Sequence, residues 1–158
     1  MVIESIPLPA KLIGFAGLVP FMVLAFLVFI LPDPVRSLIF DILVHYAAVI
    51  LSFIGAVHWG SAMAVSDNAR LTEKYLWSRL GWSVVPALAA WLATQMVLSV
   101  SLLTLILGFV FAFIFDCRSA KRGEIPTWYI KLRKSLTLVV VASLSSALMQ
   151  SIVGPISF

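Results

Sequence analysis

Residues 12–31, LIGFAGLVPFMVLAFLVFIL, run without a single charged side chain. A bilayer's hydrocarbon core is about 30 Å thick and an α-helix rises about 1.5 Å per residue, so about 20 apolar residues cross it. The same rule finds four more spans, roughly 38–64, 78–96, 100–116 and 133–152. The expected fold is therefore all-α, an integral membrane bundle of five transmembrane helices forming a single polytopic domain over 1–158. Composition agrees: 62% of residues are apolar and 11% charged, with a mean hydropathy of +1.11, which excludes an ordinary soluble domain. The N-terminus lacks the Arg/Ser-rich pattern of a transit peptide, and its first apolar run is longer than a signal-peptide core, so it reads as a retained helix.

Prolines and charges punctuate these spans. Pro20 lies inside the first helix, where a missing N–H frees a carbonyl and kinks the chain, and Pro32 closes it. The apolar tract from Trp77 to Asp116 is too long for one crossing. Dividing it near Met96 to Ser101 predicts a tight helical hairpin. Gly154-Pro155 is expected to end the last helix. With five spans, Lys11, Arg70, Lys74, Arg79, Arg118, Lys121, Arg122, Lys131, Arg133 and Lys134 share one side, and of the 11 basic residues only Arg36 lies on the other. The positive-inside rule then places the N-terminus in the cytoplasm and the C-terminus outside, in the periplasm for a protein of the bacterial inner membrane.

Four segments resemble a known membrane family: LIGFAGLVPF in the first helix, ILSFIGAVHWG in the second, WSVVPALAAW in the third, and IPTWYIKLRKSLT leading into the fifth. They are similar to the family called domain of unknown function 3429, the transmembrane protein 69-like membrane proteins. The resemblance covers nearly the whole chain and is most specific in ILSF-x-G-xx-HWG and P-x-WY-xx-LR. It implies a small multi-helix membrane protein and assigns no activity, cofactor or catalytic residue.

The second helix carries the candidate chemistry. At about 100° per residue, His45, Ser52 and Trp59 fall on one stripe, joined by Asp41 one turn earlier. Ala48, Gly55 and Ala62 form a neighbouring stripe of small residues. Polar and small stripes side by side are what a helix central to a bundle presents to its neighbours. His58, a candidate second site, lies about 140° around from His45 and roughly 20 Å along the axis, so the two imidazoles do not form one ligand pair within a chain. Each reads first as an interhelical hydrogen-bonding group. Two sharper readings stand beside that one: haem ligation, which would need a homodimer, a partner subunit or a methionine such as Met63 or Met96 as further ligand, and a proton or ion site at Asp41 and His45.

The loop DCRSAKRGEIPTWYIKLRK, residues 116–134, joins basic residues to Trp128 and Tyr129, whose rings suit the headgroup layer. Arg118, Lys121, Arg122, Lys131, Arg133 and Lys134 are candidate contacts to anionic lipid, with plain positive-inside anchoring as the simpler account. In the preceding loop Ser66 or Asp67 is expected to cap a short interfacial helix. The single cysteine, Cys117, forms no disulfide framework or Cys-rich metal site within one chain. No phosphate loop, HExxH motif or nucleophile–base pair is present, so no catalytic residue or metal ligand is assigned. The expectation is a non-enzymatic accessory or assembly subunit of a larger membrane complex, or a small homo-oligomer, with the bilayer as its medium and no nucleic-acid partner. The alternatives are a haem- or quinone-binding redox module and a small transporter or lipid-handling protein.

Overall fold

The computed structural model describes residues 5–65 and 73–153. All regular structure among them is helical, in the order α1 (Leu8–Ala16), α2 (Val19–Ile30), α3 (Val35–Val65), α4 (Glu73–Ala93), α5 (Leu98–Lys121) and α6 (Thr127–Val153). Four stretches are both long and apolar enough to cross a membrane: Leu8–Ile30, which joins α1 to α2, then Val35–Ala64, Leu98–Lys121 and Thr127–Val153. At 21 residues, α4 has the length of a span at about 1.5 Å per residue. The expected caps at Ser66 or Asp67, the basic residue Arg70 and the stop at Gly154-Pro155 lie outside the described residues.

The first apolar run is a broken helix. Pro20 has no N–H to offer the carbonyl one turn earlier, and the helix is interrupted at Gly17 and Leu18 before restarting with Pro20 in its first turn. The hydroxyl of Tyr46 on α3 donates to the Gly17 carbonyl at 2.9 Å. A neighbouring helix thus satisfies a backbone group that lipid could not.

α3 packs against α2, α4 and α5, while α6 closes the bundle against α5, α2 and α1. Leu43, Ala47, Leu51 and Ile54 of α3 meet Phe21 of α2, Leu102, Leu105 and Phe109 of α5, and Leu144 of α6 in one buried core. Phe21 stands edge-on to both Tyr46 and Phe109, with ring centroids 5.0 and 6.0 Å away. The small stripe of α3 is used inside this core. Ala48 and Ala62 are buried, and Gly55 lies so close to Ser83 and Pro86 of α4 that a Cβ there would run into the Ser83 carbonyl.

The hairpin between α4 and α5 is tight: residues 94–97 connect them, and the amides of Thr94, Gln95 and Met96 reach back to the last turn of α4. At the other end of α5, Gly123 adopts φ 73°, which is costly for residues with a Cβ. Its N–H bonds to Ala120 O and the Glu124 N–H to Ser119 O, both at 3.0 Å, the two bonds of a Schellman motif. This turn aims Glu124 back towards the bundle.

Three helix ends differ from the expected boundaries for one reason. α5 runs five residues past Asp116, α6 begins six residues before Arg133, and α4 begins six residues before Arg79. Charged side chains mark where a span ends when they meet water, but Asp116, Arg133 and Arg79 are buried inside the bundle at 0%, 5% and 5% exposure.

Candidate functional site

Asp116 is the centre of the site. Its Oδ1 accepts a hydrogen bond from His58 Nε2 of α3 at 2.7 Å, and its Oδ2 accepts one from Arg133 Nε of α6 at 3.1 Å. One fully buried carboxylate therefore joins three helices. A buried charge is tolerable only when paired and hydrogen-bonded, and here the guanidinium supplies the countercharge. The Nε2 contact makes Nε2 the protonated ring nitrogen. His58 Nδ1 is buried and has no hydrogen-bond partner among the described residues.

A second ionic group lies beside the first. Arg79 of α4 donates through Nη1 to Glu124 at 2.9 Å and to the Tyr75 hydroxyl at 2.8 Å, and through Nη2 to Ser61 of α3 at 2.6 Å. Ser61 in turn donates to the His58 carbonyl at 3.0 Å, so the two groups share one turn of α3. An aromatic stack covers them on the α4–α5 side: Trp82 stacks on Phe115 with ring centroids 4.0 Å apart, and the Phe115 and His58 rings meet near-perpendicular with centroids 5.0 Å apart. The formal charges of Asp116, Arg133, Arg79 and Glu124 cancel. The arrangement is a low-dielectric ionic clamp that holds α3, α4, α5, α6 and the α5–α6 turn at one end of the bundle.

The expected polar stripe of α3 lies elsewhere and faces elsewhere. Asp41, His45 and Trp59 are exposed and Ser52 is half-buried, so the stripe looks away from the bundle rather than into it. His45 Nδ1 bonds to the Asp41 carbonyl at 2.7 Å and the Ser52 hydroxyl to the Ala48 carbonyl at 2.8 Å, both within α3. The inward stripe is Leu43, Ala47, Leu51, Ile54 and His58. Serine and histidine can satisfy themselves on the preceding turn of their own helix, so polarity alone does not fix which face turns inward.

Of the proposed lipid contacts, Arg118, Lys121, Arg122, Lys131 and Lys134 are exposed. Arg133 is not available to lipid, being buried against Asp116. His58 Nε2 is bonded to Asp116, so that nitrogen is not free to ligate a haem iron. Among the described residues, no three His, Cys, Asp or Glu side chains come together to hold a metal. The residues that sequence reasoning passed over are Asp116, Arg79 and Glu124. Their available signal was opposite charges flanking neighbouring apolar runs, Asp116 with Arg133 and Arg79 with Glu124.

Fold and site together define a polytopic helical membrane protein clamped at one end by buried ion pairs. Residues 6–149 match the family described as Protein of unknown function (DUF3429), and the chain belongs to that family. It is 35% identical over 155 residues to Transmembrane protein 69 of Xenopus tropicalis, an alignment that covers 97% of this chain and 58% of the relative. The chain thus spans a little over half the length of that relative. No solved structure matches it.

Proposed function

We propose that this chain is a non-enzymatic accessory or assembly subunit of a larger membrane complex, crossing the bilayer five times with its N-terminus in the cytoplasm. The observation that carries this reading is the mutual pairing of Asp116, Arg133, Arg79 and Glu124. These charges, buried at one end of the bundle, are used to hold helices together, and the outward faces of α2, α4 and α5 are apolar, as in Phe26, Leu88 and Phe111. Such a chain has surfaces for lipid and for other helices rather than a wet site for a substrate. The length of α4, set between α3 and α5, supports a fifth crossing. The exposed Lys74, Arg118, Lys121, Arg122, Lys131 and Lys134 then gather at the end that holds the clamp, which supports a cytoplasmic assignment for that end.

One observation favours a second reading, a proton-carrying site: the buried, unbonded His58 Nδ1 beside a carboxylate. Chemical crosslinking in native membranes, followed by capture of the chain at its natural expression level, separates the two. An accessory subunit brings down the same membrane proteins repeatedly. Capture of the chain alone in repeated experiments refutes that role.

A further inference from the structure

We propose that the end of the bundle formed by α5, α6 and the turn between them is a binding surface for anionic phospholipid headgroups. Folding sorts the charges of residues 116–134. The acids of this segment, Asp116 and Glu124, are buried, with side chains 0% and 8% exposed, in their pairs with Arg133 and Arg79. Arg118, Lys121, Arg122, Lys131 and Lys134 are exposed. A segment of mixed charge in the sequence therefore presents only cations on its surface.

The two helices set the depth of these cations. α5 and α6 are both long and apolar enough to cross a membrane. They pack as neighbours, and the Asp116–Arg133 pair fixes their register at this end. On α5, Ile114, Arg118, Lys121 and Arg122 follow the i, i+4, i+7, i+8 spacing of one helical face, and on α6 Lys131, Lys134 and Leu138 follow i, i+3, i+7. Ile114 and Leu138 are exposed hydrophobic side chains. Each outward face thus passes from apolar to basic within one turn, about 5.4 Å, and the pair at 116 and 133 brings both changes to one height. A cation one turn beyond a lipid-facing side chain lies at the level of headgroup phosphates, and the long stems of Lys and Arg reach towards them. Topology selection alone does not require the acids to be hidden, since Asp and Glu contribute little to it. An anionic headgroup does, because an exposed carboxylate among the cations would repel its phosphate. This surface stands apart from the accessory role, and either can fail without the other.

The test uses the full chain reconstituted in vesicles of equal parts phosphatidylcholine and phosphatidylglycerol, with the lipids that stay bound on release counted by native mass spectrometry. Phosphatidylglycerol is expected to exceed phosphatidylcholine at least about fivefold, the effect of one Lys or Arg near an anionic surface. Arg118→Gln, Lys121→Gln and Arg122→Gln together are expected to cut that excess by about fivefold or more, whereas the charge-keeping set Arg118→Lys, Lys121→Arg and Arg122→Lys retains it. All three side chains are exposed, so neither set disturbs the core. Equal retention of the two lipids by the wild-type chain, an excess lost equally in the charge-keeping set, or an excess that survives the glutamine set, even where an acidic protein partner is lost with it, overturns the proposal.

Discussion

Replacing Asp116 by leucine removes the one carboxylate shared by His58 and Arg133 and leaves a guanidinium in the interior without a countercharge. Asp116 is fully buried, its oxygens lie 2.7 and 3.1 Å from their donors, and Arg133 is 5% exposed. Little water reaches Arg133 without the bundle end opening. Breaking a buried pair from one side costs about 3–5 kcal/mol. For a chain of this size that corresponds to a fall in melting temperature of roughly 6–20 °C. The chain carries its own reporter: Cys117, next to Asp116 and partly buried, becomes reactive towards a thiol-specific fluorophore as this end unfolds on heating in detergent. Replacing the whole group together, His58→Leu, Asp116→Leu and Arg133→Met, is expected to recover most of the loss, because well-packed apolar side chains commonly match a buried ion pair in stability. A single Asp116→Leu variant that melts within roughly 2 °C of the wild type would refute the assignment of Asp116 as the centre of the clamp.

Two further substitutions probe the packing that positions the clamp. Gly55→Ala pushes a methyl group against the Ser83 carbonyl, a backbone atom that cannot step aside, and should lower stability by about 1–3 kcal/mol; Gly108→Ala meets only the Cδ2 end of Leu51 at 2.6 Å and should cost less than about 1 kcal/mol. Equal melting temperatures for the two variants would contradict the close α3–α4 approach. Tyr46→Phe deletes the hydrogen bond to the Gly17 carbonyl and is expected to cost about 0.6–1.7 kcal/mol, read as a matching shift in the same thermal assay.

The helices were legible because hydrocarbon imposes length and apolarity on any segment that crosses it. The break near Pro20 and the turn after α4 followed from local chemistry, a missing N–H and an apolar tract too long for one helix. The clamp was hidden because the same rule treats each charge as a boundary. Asp116 closes one apolar run and Arg133 opens the next, so each reads as a residue reaching water or phosphate. Only tertiary packing sets them 3.1 Å apart. Periodicity correctly separated His45 from His58, yet it could not say which of the two faced the core. Asp41, His45 and Ser52 drew attention through polarity, while His58 sits among Ile54, Ala62 and Phe115 and differs from them only by the partner it finds on α5.

The proposed role assigns the buried charges to holding the bundle together, and the apolar triple variant tests that assignment most directly. Crosslinked capture from native membranes should recover the same partners with His58→Leu, Asp116→Leu and Arg133→Met as with the wild-type chain, and cells relying on the variant should grow unchanged. A variant that melts like the wild type yet loses its partners, or fails to support growth, would show that these side chains have a task beyond holding helices together.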